Sequence, residues 1–277
     1  MLIAHLSFQW QAPPVVLAGA VVALAFFVQA FVRLRRRRSE LVPWTRALLF
    51  AAGLALLVLP VVSPLDEAAD DKLLSGHMLQ HVLIGDAAAA LVVVALRGPL
   101  LFFLLPPALL RPAAALRPVL SVATRPLVAL GLWATAIYAW HVPAAYDYAA
   151  GHPLVHDLEH LSFVVAGMLV WIQLVDPARH GRLRRPQRVF FALALVALMQ
   201  PLVDALLFSS SPAYARYADQ PDRLFGLSPL TDQRLAGVVM MTEQLLTLGI
   251  CVGLLLRPYV RERRERLGAP VVPHGSR

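Results

Sequence analysis

Three histidines, an aspartate and a glutamate crowd into GHPLVHDLEH, residues 151–160 of a 277-residue chain that is 58% hydrophobic. Two of them, His156 and His160, stand four apart, and a second pair with that spacing, His77 and His81, lies in SGHMLQH at 75–81. On a helix, residues i and i+4 share one face a turn apart, so each pair presents two imidazoles together. Neutral imidazole is the commonest protein metal ligand, and a compact pair offers two nitrogens to one ion. His141, in AIYAWHVPAAYD, adds a fifth imidazole if its helix returns it to the level of the pairs. One histidine alone would read as an interfacial side chain bonded to a neighbour. Two pairs and a fifth ring at one depth read as a metal site.

No thiolate accompanies them. Cys251 is the single cysteine and lies in the last apolar run, which excludes an intramolecular disulfide and a Cys-rich metal site. Imidazoles with a thioether suit copper, or zinc as the alternative, better than calcium or magnesium. Met78, beside His77, and Met240 with Met241 are candidate soft ligands that would favour Cu(I), set against the commoner use of methionine as packing. Glu159 falls between His156 and His160 on the helical wheel and reads either as a group orienting a ligand or as a charge near a helix start. Asp204, three residues after Pro201, is the acid expected to touch the cluster. Asp86 falls about 8 Å too deep at 1.5 Å per residue and is expected to pair with another helix. Glu243, nearer mid-membrane, reads as a transfer ligand or as a protonated interhelical hydrogen-bonding group.

Membrane helices must position these groups. A mean hydropathy of +0.65 with 15% charged residues places the chain in the membrane class. Seven runs approach the 20 or so residues that cross about 30 Å of hydrocarbon: 14–33, 44–63, 73–96, 126–144, 154–175, 188–209 and 233–256. The expected fold is an all-α polytopic bundle of seven transmembrane helices. GPLLFFLLPPALL at 98–110 has 13 uncharged residues and a proline pair, too short for an ordinary span; it reads as interfacial or re-entrant, with the placement of 98–125 left open. The division is an outer segment 1–13, a membrane domain 14–256 and a basic cytoplasmic tail 257–277. No Lys or Arg precedes the first run and RLRRRR follows it, so the first helix is expected to be retained with its N-terminus outside.

A pI near 10.5 could suggest nucleic acid, but the basic residues fall in short blocks between apolar runs, as in cytoplasmic loops. No nucleic-acid partner is expected. With seven spans and the N-terminus outside, 21 of the 25 Lys and Arg lie inside, leaving Lys72, Arg216, Arg223 and Arg234 outside. The C-terminus is then cytoplasmic, its arginines within reach of anionic lipid. The histidines sort oppositely: His5, His77, His81, His141, His152, His156 and His160 fall outside or in outer halves of spans, with His180 and His274 inside. Both pairs open inward-running helices, roughly 3 to 12 Å below the outer boundary. Ionisable groups at such depth are expensive and count as a functional hypothesis.

HMLQH, AWHVPAAYD, HPLVHDLEH and TDQRLAG, in this order and spacing, resemble the multi-span CtaG family of bacterial cytochrome c oxidase assembly factors over roughly residues 10–258. The resemblance implies a multi-pass protein of the bacterial inner membrane, needed to mature a haem-copper oxidase through copper handling on the outer side. Cytochrome c oxidase subunits and membrane lipid would be its partners, with oligomerisation left open. It carries the family's histidines onto His77, His81, His141, His156 and His160, its acidic partner onto Glu159, and its final motif onto Asp232 and Gln233. The outer segment SSSPAYARYADQPDRLFGLSPL has no counterpart in it.

Two rivals come from other classes. HDLEH fits the H-x-x-E-H pattern of inverted zinc metalloproteases, but Glu243, the only deep glutamate, falls about 16 Å below the outer surface, away from the pairs. A haem-binding electron carrier would set paired histidines across a wide pocket, whereas same-face pairs crowd one small ion. The expectation is therefore a non-catalytic metallochaperone or assembly factor that passes copper on by ligand exchange, since no ligand must lose a high-pKa proton. Binding should weaken below about pH 6 as imidazoles protonate.

Overall fold

The computed structural model describes residues 9–221 and 223–268, the side chains of Asp71, Glu262 and residues 264–268 excepted. His5 and His274 lie outside the described residues. Every regular element among the described residues is helical. The long helices are α1 (Pro14–Arg37), α2 (Trp44–Val62), α3 (Leu74–Ala95), α4 (Pro126–Trp140), α5 (Pro153–Val175), α6 (Arg185–Phe208) and α7 (Pro229–Gly268). Six of them are long and apolar enough to cross a membrane, and α4 makes a seventh when joined to Arg117–Ala123, from which it bends by 79°. Proline opens α1, α4, α5 and α7, a position where its missing N–H would have had no partner.

Two boundaries differ from expectation. The run 126–144 is helical only to Trp140, because Pro143 disfavours the helical conformation at the residue before it; the chain restarts as Pro143–Ala150. Residues 98–110 fall into two short helices, Pro99–Phe103 and part of Pro107–Ala114, neither long enough to cross alone.

The bundle has two chemically distinct ends. At one, Gln11 N–H donates to the Val62 carbonyl at 2.9 Å, Tyr214 donates to the His141 carbonyl at 3.2 Å, and the starts of α3, α5 and α7 gather. At the other, Arg46 donates to the Val94 carbonyl at 2.8 Å, Arg188 pairs with Asp176 at 2.9 Å, and Gly98 N–H donates to the Pro177 carbonyl at 2.7 Å. The histidine pairs lie at the first end and most arginines at the second.

α3 and α5 form the centre, burying half of their spanning windows against 17–33% for the other four. Their backbones touch. A Cβ on Gly167 of α5 would collide with the carbonyl oxygen of Gly85 in α3, so glycine at 167 is a condition of this packing. Gly85 sits in a π-type turn, Leu83–Ala87, that widens α3 just past the histidine turn; such turns are frequent at functional sites. The start of α3 is held from outside itself. Asp232 in the first turn of α7 accepts the N–H groups of Leu74 at 2.7 Å and Ser75 at 3.1 Å, capping a helix whose own preceding residue, Leu73, cannot. Gln233 accepts from Ala213 N–H at 2.7 Å and donates to the Leu206 carbonyl at 3.3 Å. Gln80, fully buried between the two histidines of α3, donates to the Pro60 carbonyl at 3.1 Å. That carbonyl needs it, because the residue four ahead is Pro64, which has no N–H.

Gly167→Ala should therefore cost about 1–3 kcal/mol through overpacking and lower the melting temperature in detergent. Gly19→Ala, where an added Cβ meets nothing within 4 Å, should be neutral or mildly stabilising. Equal melting of both variants would contradict the contact. Asp232→Ala should cost about 0.5–2 kcal/mol, the range for a lost helix cap, with early hydrogen exchange at Leu74 and Ser75 as its local sign.

Candidate metal centre

The two i, i+4 pairs face each other across the α3–α5 contact. Ring centroids within a pair are 4.1 Å apart for His77 and His81 and 4.2 Å for His156 and His160. Between helices they are 5.2 Å for His77 and His156 and 5.1 Å for His81 and His160. The diagonals of 6.5 and 6.4 Å are close to those of a flat rectangle with these sides. Helical periodicity makes the short edges, and the glycine contact one to two turns further along makes the long ones. Glu159, 1% exposed, brings Oε1 to 3.8 Å from His81 Nε2. One ligand atom each from His77, His81, His156 and Glu159 lies within 4.8 Å of all the others.

Outer contacts fix how the rings present their nitrogens. Tyr217 donates its hydroxyl to the Ala69 carbonyl at 2.6 Å and receives that of Tyr146 at 3.1 Å. His77 Nδ1, 3.2 Å from the same oxygen, is then the donor there, which leaves Nε2 with its lone pair. Burial pushes the Tyr146, Tyr214 and Tyr217 phenols above their ordinary range, so all three stay protonated donors. Asp70 lies 3.8 Å from His77 Nδ1 with one oxygen and 3.8 Å from His156 Nδ1 with the other, and is 34% exposed. Asp66 accepts from Gln80 at 2.7 Å; burial and the neighbouring Asp70 push its carboxyl up to about 6 against that hydrogen bond. Asp66, Asp70 and the three tyrosines were not singled out from sequence. The signal was present in Asp66 and Asp70, spaced four apart just before the histidine helix, while Tyr214 and Tyr217 sit in the segment without a counterpart.

The remaining candidates take other places. His141 sits one residue past α4, its Nδ1 2.7 Å from the Ile137 carbonyl. It meets Phe163 at 6.3 Å, and Phe163 in turn meets His81 at 4.7 Å; no ring contact joins His141 to the other four. Met78 and Met240 are buried and line a cavity of about 50 Å³ beside His81, whereas Met241 packs at the edge of the core. Asp204 accepts from Gln200, one turn back on its own helix, at 2.7 Å, and lines neither cluster nor cavity. Asp86 does pair with other helices: it accepts from the indole of Trp171 and, at 2.8 Å, from Thr247. Glu243 lies against Asp86, below the rectangle. His152 is exposed, its Nδ1 2.7 Å from the Tyr148 carbonyl of the short helix Pro143–Ala150 just before it.

What the rectangle can do follows from its unmet bonds. His77 Nε2, both ring nitrogens of His81, Nε2 of His156 and His160, and Glu159 Oε1 are buried without a hydrogen-bond partner. Each such atom ordinarily costs about 1–3 kcal/mol, and buried polar atoms are otherwise almost always paired. Each neutral imidazole keeps one lone pair; lone pairs gathered in one place can be satisfied together by a cation, and imidazoles with a carboxylate fit copper or zinc.

The sequence model of the family described as cytochrome c oxidase caa3 assembly factor (Caa3_CtaG) matches residues 24–262. No curated protein and no solved structure matches the chain. The match contains α2 to α6 whole and every histidine and carboxylate of the cluster. By its helices this is a multi-pass membrane protein, and by that match the chain belongs to the cytochrome c oxidase caa3 assembly factor family.

Proposed function

We propose that this protein carries copper as cargo on His77, His81, His156 and His160 with Glu159, and hands it to a cytochrome c oxidase subunit without catalysing a reaction. The observation that carries this reading is the convergence within 4.8 Å of one ligand atom each from His77, His81, His156 and Glu159, with the His160 ring adjoining at 5.1 Å from that of His81 and unpartnered imidazole nitrogens on all four histidines. Family membership supports the choice of recipient, because an assembly factor for a copper-containing oxidase has a use for a copper site. Asp70, touching His77 and His156 and partly exposed, gives the cargo a first oxygen ligand at the entrance.

Charge supports the orientation. The end carrying Arg46, Arg97, Arg179 and Arg188 faces the cytoplasm of a bacterial inner membrane and the histidine end faces outward, with the N-terminus outside and the basic tail 257–277 inside. Zinc fits the same donors and is the alternative ion. A zinc protease is less well supported, because Glu159 stands among the ligand atoms rather than apart from them as a water-activating base, and the adjoining cavity of about 50 Å³ holds no peptide. That volume also speaks against haem, since pockets for ligands of drug size run to about 300–1,000 Å³.

Replacing His77 and His81 together by Ala should abolish copper in the purified protein while leaving it inserted; full copper content by elemental analysis would contradict the assignment. For orientation, a Cys251→Ser background carrying Trp10→Cys should react with an impermeant maleimide in intact cells, and one carrying Arg261→Cys should react only after lysis. The opposite pattern would invert the bundle and put the site at the cytoplasmic face.

A further inference from the structure

The small cavity beside His81 has a donor set of its own. Met78 of α3, Met199 of α6 and Met240 of α7 line it, 1%, 8% and 2% exposed. Methionine on a membrane helix usually only packs, but here three helices each bring one to a space of about 50 Å³, enough for a single ion or water. His141 lines the same space. Its Nδ1 lies against the Ile137 carbonyl at 2.7 Å, so Nε2 keeps its lone pair, and that atom is buried with no partner. Glu243 Oε1, likewise buried and unpartnered, also borders the cavity and offers it an oxygen donor. Thioethers with a neutral imidazole select a soft monovalent ion.

We propose that the cavity between Met78, Met199, Met240 and His141 is a second site, for Cu(I), separate from the histidine rectangle and joined to it through His81, which borders both. The proposal rests on the copper reading for the identity of the cargo and adds where that cargo goes next. Passage between the sites is ligand exchange at constant oxidation state: a copper–imidazole bond breaks as a copper–thioether bond forms. No electron moves, and neither ligand has a proton to give up. His141, left out of the rectangle, thereby gains a role.

The test uses the detergent-purified full chain with ¹³C-methyl methionine, titrated with Ag(I), a redox-inert stand-in for Cu(I). The methyl signals of Met78, Met199 and Met240 should shift, and those of the chain's other three methionines should not. Met78→Leu/Met199→Leu/Met240→Leu, a volume-conserving change that the core should tolerate, should reduce bound silver from two ions per chain to one. His77→Ala/His156→Ala, which keeps His81, should preserve the methyl shifts. Methyls that stay put at saturating silver, or a triple variant that binds as much silver as the parent, would overturn the second site. Ring signals of His77, His156 and His160 test the rectangle separately: these rings shifting without the methyls leaves the rectangle standing and this site refuted, and methyls shifting together with the His141 ring but without these three does the reverse.

Discussion

Two helices can offer four imidazoles to one ion only if their backbones come close enough for short side chains to meet, and here that closeness is set by Gly85 and Gly167. With a side chain at 167, α5 would have to move off the Gly85 carbonyl, and the 5.1–5.2 Å separations across the rectangle would widen with it. The remaining contacts at this end of the bundle keep α3 from sliding or rotating against α5. Asp232 holds its first turn from α7, Gln80 ties its second to the end of α2, and Tyr217 holds the His77 ring through Nδ1.

The price of this arrangement is polar atoms buried where lipid and apolar side chains offer nothing in return. The protein resolves most of that cost locally: the Pro60 carbonyl is met by Gln80, Asp86 by Trp171 and Thr247, and Gln233 by Leu206 and Ala213. Beside such pairing, the nitrogens of the rectangle that have no hydrogen-bond partner are the observation on which the proposed metal site rests. Hydrogen-bonded outer nitrogens on His77 and His141 leave the opposite ring atoms as lone pairs, the arrangement metal-binding imidazoles ordinarily have.

The helices and the histidine pairs were legible in the sequence because both depend on local periodicity. A run of about 20 apolar residues needs a helix whatever its neighbours do, and i, i+4 spacing shares a face on any helix. Facing of His77 and His81 toward His156 and His160 followed from four polar side chains having one place to hide. What was not legible depends on contacts between distant segments: Asp70 and Tyr217 beside His77, and Asp232 capping α3, lie in short helical turns or at a helix start whose positions no periodicity reports. His141 differs from the simple expectation because Pro143 ends α4 early, leaving its ring behind Phe163 on the cavity side. Met199 carried no signal beyond an apolar helix until three helices met around one space.

X-ray absorption on the protein loaded with one copper per chain tests the central claim most directly. The account predicts three or four nitrogen scatterers at about 2.0 Å, the usual metal–imidazole distance, with the multiple-scattering pattern of histidine rings. A spectrum of oxygen neighbours without imidazole features would contradict it.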